Sequence, residues 1–509
     1  DQALRRLGKT MGKRAASDRA EARRHLEVSQ GAVPAWIMPT HRVAELFELK
    51  EGAFDLVIVD EASQSGLEAM FLFWLGKKMV IVGDNEQISP SATGVTIEQV
   101  DALQRQHLRD FGLRDLLDPK ESLFDQAKVR YSGEIWLTEH FRCMPEIIEF
   151  SNRYVYAPLN KRLEPLRQFG QDRLTPLKRV WVTHGEQLTS PSKTSNQQGE
   201  STTKTPRRSP GINKQEAEEV VRAVIKCHED PAYKGKSFGV ISLLATSGQA
   251  DWIEHRLLER LGQEAWDERQ LRCGSPYSFQ GDERDIIFLS MVSALADDRV
   301  RLPALGNTAD RQRFNVATSR AKDQMWLFHT PTLLQLNPDC PRHRLISYLT
   351  DPPPLEFDPF TDPVDRHIDH PRFRSLFEQR VFLDIRDRGY GAIPNLKAYG
   401  REIDIVIVGA KGRLAVECDG VYYHTPETWA DDHHRQQQLE RHGWEFFRVT
   451  DLDYYLDPSE ALEPLWEILK QKEIEPLGVG GAPSPVVDYI EASPTAQPVT
   501  EPVGGAEEE

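Results

Sequence analysis

The chain has 509 residues, 39% hydrophobic and 28% charged, too long for one compact core. Its most apolar runs, Met70–Leu75 and Val57–Val59, fall far below the ~20 residues that a bilayer crossing needs, so a membrane partner is not expected. The net charge of −16 does not exclude nucleic acid, because base is concentrated in Arg5–Arg24 and around Lys193, Lys204, Arg207 and Arg208, and none follows Lys472.

Five isolated cysteines, Cys143, Cys227, Cys273, Cys340 and Cys418, make neither a metal knuckle nor a disulfide framework, which fits a reducing cytoplasm. The chain opens on Asp1 without a signal-peptide pattern, and the expectation is that the natural product extends further upstream.

Through the first 350 residues, the apolar runs FDLVIVD (54–60), KKMVIVGD (77–84), KSFGVISLL (236–244) and RDIIFLSMV (284–292) alternate with helix-like segments such as Lys214–Cys227 and Gln249–Leu261. That alternation predicts an α/β fold on a parallel sheet. A polar insert at 185–211, rich in Ser, Thr, Gln and Pro, cannot bury a core. The run DPPPLEFDPFTDPVD (351–365) forbids helix and marks the main boundary. Beyond it, a helix over Phe373–Gly389 precedes the strands REIDIVIVG, GRLAVECDG and WEFFRVTD. The domains expected are 1–130, 131–350, a linker at 351–370, a smaller α/β unit at 371–474 and a disordered acidic tail at 475–509.

The first strand delivers Asp60 and Glu61 at its C-terminal end, and the second exits into GDNEQISP with Asp84 and Gln87. Adjacent carboxylates at a strand exit suit phosphoryl transfer, one holding Mg²⁺ and the other polarising water. DEASQ (60–64) and GDNEQISP (83–90) resemble motifs II and III of superfamily 1 helicases, in the up-frameshift-like branch. LTEHFRCMPEIIEFSN (137–152), SFQGDERDIIFLS (278–290) and RFNVATSRAKDQMWLF (313–328) resemble later motifs in the same order.

The resemblance implies two RecA-like P-loop NTPase lobes, the first truncated at its N-terminus, and ATP as cofactor. It places Arg142 on the terminal phosphate, Gln280, Gly281 and Glu283 near nucleotide and strand, Gln87 as phosphate sensor and Arg320 as the finger arginine. A planar, permanently charged guanidinium suits both arginine roles.

A phosphate loop GxxxxGK[ST] is missing. Gly8, Lys9 and Thr10 approach it, but Ala3 holds the first glycine position and no apolar strand precedes it. Arg5, Arg6, Lys9, Lys13 and Arg14 read better as a solvated or strand-contacting helix. PAWIMPT (34–40) resembles the segment just upstream of motif II in a bacterial helicase family, which would put the phosphate loop on an N-terminal portion or a protein partner.

After the proline break, Glu378 lies beside the apolar stripe of its helix. Asp404 and Glu417 fall on successive strands joined by a turn, which sets them side by side as a hard-oxygen site for Mg²⁺ or Mn²⁺. This layout, with ECDGVYYH (417–424) and DDHHRQQQLERHGWEFFRVTD (431–451), resembles restriction-endonuclease-like PD-(D/E)xK nucleases, in the very-short-patch-repair-like branch. The usual lysine two positions after the second carboxylate is Asp419, leaving His424, Arg435 or Lys411 as candidates for its role. His433, His434 and His442 read as a solvated helix face, and Trp444 and Phe446 as core.

The function expected is a helicase–nuclease: ATP-dependent movement along DNA, rather than RNA, coupled to metal-dependent cleavage in bacterial repair or anti-phage defence. The alternative is a non-catalytic nucleic-acid-binding subunit or an RNA helicase with a degenerate nuclease domain.

Overall fold

The computed structural model describes residues 21–26, 28–29, 32–89, 97–112, 117–165, 167, 173–187, 211–295, 299–352, 364–398, 401–408, 412–420, 437, 440–441, 443–476 and 487–492. The basic N-terminal run before residue 21, the bulk of the polar insert, Lys411, His424, Arg435 and the three histidines at 433, 434 and 442 lie outside them. The chain forms two compact units, Asp1–Ile135 and Trp136–Glu509.

In the first unit, α1 (Thr40–Leu46) leads to β1 (Phe54–Val59). Next come α2 (Leu72–Leu75), β2 (Gly76–Ile81), α3 (Ile97–His107) and α4 (Leu123–Arg130). β1 and β2 pair in parallel, Ile58 opposite Val80. One face, carrying Val57, Val59, Met79 and Ile81, packs on Leu72, Leu75, Leu123 and Phe124. The other leaves Ile58 63% and Val80 45% exposed, unusual for a parallel sheet, which is normally covered on both faces. Ser122 starts α4 with a capping box, exchanging hydrogen bonds with Asp125.

The second unit opens with β3 (Glu139–His140), α5 (Pro145–Ser151), β4 (Glu164–Pro165) and β5 (Leu177–Val182). It continues through α6 (Lys214–Glu229), β6 (Phe238–Ser242), α7 (Gln249–Glu268) and β7 (Arg272–Gly274). β8 (Arg284–Ser290), α8 (Thr308–Thr318), β9 (Ala321–His329) and α9 (Pro341–Thr350) complete this part.

Strict alternation along β8 sends Ile286 and Phe288 to one face, under α6 and α7, and Ile287 and Leu289 to the other, under α5, α8 and α9. The sheet is six-stranded and parallel: β5, β9, β8, β6 and β7 lie in that order, with a further strand outside β5. Its outer strand corrects the expectation of a wholly disordered tail: β14 (Val487–Ala492) pairs with β5, with Lys178 3.3 Å from Asp488 and Arg179 stacked 4.4 Å over Tyr489.

A separate four-stranded sheet follows α10 (Leu376–Asp387). Its strands β10 (Gly391–Ala398), β11 (Arg401–Val408), β12 (Arg413–Asp419) and β13 (Phe446–Thr450) are neighbours in that order; α11 (Asp451–Leu456) and α12 (Pro458–Gln471) complete the domain. The first two pairings are antiparallel and the third parallel. Phe377, Val381, Phe382 and Ile385 of α10 pack with Leu462, Leu465 and Leu469 of α12 on one face, and Trp444 is buried on the other. The molecule thus combines a RecA-like parallel sheet with a small, separate α/β domain. No described helix is long and apolar enough to cross a membrane.

Candidate functional site

In the first unit, β1 ends at Val59 and releases Asp60 and Glu61 at the sheet's C-terminal edge. Asp60 Oδ1 accepts the Glu61 N–H at 2.9 Å, and Gln64 Nε2 donates to Glu61 Oε2 at 2.8 Å. Glu61 itself adopts φ 51°, a left-handed turn that few non-glycine residues tolerate. The Ala62 N–H bonds Val82 O at 2.8 Å and so ties this turn to the exit of β2, where Asp84 Oδ2 accepts from Gln87 Nε2 at 3.2 Å. Asp60, Glu61 and Gln87 therefore come from adjoining loops.

In the second unit, Glu283 lies just before β8 and Lys322 near the start of β9. Glu283 accepts from Arg142 Nε at 2.5 Å, and its other oxygen lies 2.7 Å from Lys322 Nζ. Burial alone would raise the Glu283 carboxyl, but hydrogen bonds from Lys322 and Arg142 outweigh it and hold the group below its ordinary value. Glu139, His140, Phe141, Arg142 and Glu283 line an open cleft. His140 is pushed down to about 4, first by burial and then by the charges of Arg142, Arg320 and Arg167. Its Nε2 accepts the Cys143 N–H at 3.0 Å, which fixes the neutral ring beside Arg142.

Arg320 is 1% exposed, with Nε on Val316 O at 3.2 Å. Gly281 sits at φ 75° in the turn before Glu283. The structure thus gathers Arg142, Gly281, Glu283 and Arg320 around the N-terminal ends of β8 and β9. Sequence reasoning missed His140 and Lys322, although both sit inside blocks it quoted.

In the small domain, Glu378, Asp404 and Glu417 are each less than 9% exposed. Ser375 caps α10 by accepting the Glu378 N–H at 3.2 Å, while Glu378 Oε2 accepts the Arg374 N–H at 2.9 Å. Burial pushes Glu378 up to about 7, and the charge of Asp404 adds to that rise. The β10–β11 ladder pairs Pro394 with Ile405 and Leu396 with Ile403 but skips the positions between, Asn395 and Asp404, with Asn395 at φ 50°. At this break Asp404 Oδ2 accepts the Cys418 N–H at 2.8 Å, at the residue that follows Glu417.

The antiparallel β11–β12 ladder starts at Ile405 opposite Val416, so Asp404 and Glu417 each lie one residue beyond its first pair. Among the described residues no group of three or more His, Cys, Asp or Glu is arranged to hold a metal ion. Asp419, at the expected lysine position, is taken by Arg448 Nη1 of β13 at 3.0 and 2.9 Å.

Residues 119–331 match the AAA domain family AAA_12, and residues 377–469 match the family REase_MTES_1575. The uncharacterized ATP-dependent helicase MG140 of Mycoplasma genitalium is 28% identical over 323 residues, 60% of this chain and 26% of that protein. Its homolog in Mycoplasma pneumoniae is 27% identical over 312 residues, 58% of this chain and 25% of that one. The chain thus spans about a quarter of the length of these curated relatives.

Among solved structures, the helicase nonstructural protein 10 of an arterivirus with DNA matches at TM-score 0.23 and 12% identity, over 54% of this chain and 39% of that one. The C-terminal domain of a possible DNA helicase from Lactobacillus plantarum matches at TM-score 0.22 and 13% identity, over 39% of this chain and 90% of that one. The two family matches, the ordered motifs and the two sheets agree: the chain joins a superfamily 1 helicase-like region to a restriction-endonuclease-like domain.

Proposed function

We propose that the chain works on DNA as a helicase–nuclease of bacterial repair or anti-phage defence, joining ATP-driven movement along a strand to metal-dependent phosphodiester cleavage. The observation that carries this reading is the buried Asp404–Glu417 pair, two hard-oxygen donors at a break in a sheet. Buried carboxylates call for a partner cation, and Mg²⁺ is commonly held by one or two of them, with waters and substrate phosphates completing its shell. Asp404 and Glu417 fit that role with Mg²⁺ or Mn²⁺, and a bound ion would supply positive charge against a phosphate oxygen.

In cleavage, a water oxygen forms the new P–O bond and the bridging P–O bond breaks with its electron pair on the leaving ester oxygen. The water gives up a proton, and the leaving oxygen takes one up. Glu378, whose carboxyl is pushed up first by burial and also by the charge of Asp404, is the group assigned to exchange a proton at its carboxylate.

For ATP, each unit is taken by itself: in the first, Asp60 would hold the magnesium ion, Glu61 would polarise water and Gln87 would sense the terminal phosphate; in the second, Arg142 and Arg320 would offer guanidinium charge to phosphate oxygens, with Gly281 and Glu283 near nucleotide. The phosphate loop comes from a partner or from chain outside these residues. The bare apolar face of the β1–β2 sheet gives such an added layer a surface to pack on.

A second reading, a nucleic-acid-binding subunit without cleavage, is favoured by the Asp419–Arg448 pair standing where a lysine is usual. Labelled single- and double-stranded DNA and RNA, incubated with Mg²⁺ or Mn²⁺ and with or without ATP, separate the two. We expect metal-dependent DNA cleavage and little ATP turnover. Absence of cleavage with both metals selects the second reading. Robust ATP hydrolysis lost on changing Lys9 would overturn the external phosphate loop.

A further inference from the structure

Glu378, Glu402, Asp404, Glu417 and Asp419 crowd one edge of the small sheet, and phosphodiester chemistry there adds still more negative charge. A cation must therefore meet the phosphate where the usual lysine is absent. Arg448 and Arg374 are described cations that stand near. Arg448 is spent on both oxygens of Asp419, forming with it a closed pair across β12 and β13. Arg374 differs. It lies immediately before the cap of α10 and holds Glu378 through its backbone N–H. Its Nη2 donates to Glu402 Oε2 at 2.6 Å, two residues before Asp404 on β11.

Glu402 is the sole side-chain partner of Arg374 among the described residues, although a guanidinium carries five N–H donors. The side chain is 57% exposed, so its remaining donors can reach a bound strand. Its charge also stands in the field of Asp404 and Glu378.

We infer that Arg374 is a catalytic residue of the small domain: its guanidinium contacts a non-bridging oxygen of the scissile phosphate, the role that Asp419 cannot fill. The inference rests on the nuclease reading above. A guanidinium suits the task because it stays charged beside acids and grips two oxygens at once. Glu402 aims it, and Arg448 neutralises Asp419 so that this carboxylate does not repel the strand.

The test compares the whole chain with Arg374→Ala, Arg374→Lys, Glu402→Gln, Arg448→Ala and Asp404→Asn. It reads single-turnover cleavage of labelled duplex in Mg²⁺, binding of the same duplex in Ca²⁺ by anisotropy, and melting temperature. We expect Arg374→Ala to lose cleavage by about 100-fold with binding within about threefold and melting unchanged. Arg374→Lys should recover part of the rate. Glu402→Gln, which removes the charge that aims the guanidinium but leaves Arg374 and an acceptor oxygen in place, should lose cleavage by less than Arg374→Ala does.

Wild-type cleavage by Arg374→Ala, while Asp404→Asn is inactive, overturns this inference and leaves the nuclease reading standing. So does a loss confined to Arg448→Ala. Cleavage absent from the unaltered chain overturns both.

Discussion

Replacing Asp404 by Asn, or Glu417 by Gln, is expected to reduce metal-dependent cleavage by about 100- to 1,000-fold while DNA binding stays within about twofold. Both changes keep side-chain size and remove one negative charge, so they test charge rather than packing. The asparagine carbonyl oxygen can still accept the Cys418 N–H that Asp404 Oδ2 takes at 2.8 Å, which protects the β11–β12 edge. Alanine at 404 is a poorer probe, because it leaves that N–H without its acceptor at a cost of about 1–3 kcal/mol.

Binding is expected to persist because most of a strand's affinity comes from phosphate contacts spread along its backbone, not from two carboxylates that repel it. The loss should also depend on the ion, with Mn²⁺ restoring more activity than Mg²⁺ because it accepts a neutral amide oxygen more readily. Cleavage by both variants at the wild-type rate would remove Asp404 and Glu417 from the site.

The legible parts of the fold are those whose periodicity is local. RDIIFLSMV alternates between two cores as its pattern requires, and REIDIVIVG and GRLAVECDG pair as antiparallel strands with Ile405 opposite Val416. What sequence missed depends on partners far along the chain. β10 contains Gly391, Pro394 and Asn395, residue types depleted in strands, and was not anticipated, yet β11 pairs with it.

β14 lies in a Pro/Gly-rich acidic tail and becomes a strand because β5 offers an unpaired edge, helped by Lys178 against Asp488. Arg374 meets Glu402 across 28 residues, a pairing that no local pattern announces. The Asp60–Glu61 turn was readable as a strand exit, whereas the left-handed backbone at Glu61 follows from the Ala62–Val82 bond and was not.

Glu216 was passed over because KQEAEEVVRAVIKCHE reads as an amphipathic helix with a polar first turn. The structure buries it completely, and a large pH dependence of stability follows. Glu216 Oε1 accepts Ser290 Oγ at 2.6 Å and the Val292 N–H at 2.7 Å, and Thr330 Oγ1 lies 3.5 Å from Oε2. Val292 stands at φ 66°, a strained conformation for a β-branched residue, and this carboxylate together with Asn213 Nδ2 on Val292 O holds it there.

Burial pushes the carboxyl from its ordinary 4.5 up to about 7 against the pull of those hydrogen bonds. The folded state therefore binds this proton more tightly than the unfolded chain does. The associated stability is fully present below about 4.5 and is lost as pH rises through about 7, by about 3 kcal/mol in all.

Glu216→Gln removes the ionisation, keeps an oxygen for Ser290 and Val292 and turns an amide N–H toward Thr330. At pH 8 it is expected to melt several degrees above wild type, with the gap closing toward pH 5. Glu216→Ala should melt lower at both pH values, because two buried donors lose their acceptor and Val292 its restraint. Equal melting of wild type and Glu216→Gln at pH 8, or a gap that widens toward acid, would show that the carboxylate is accommodated without penalty.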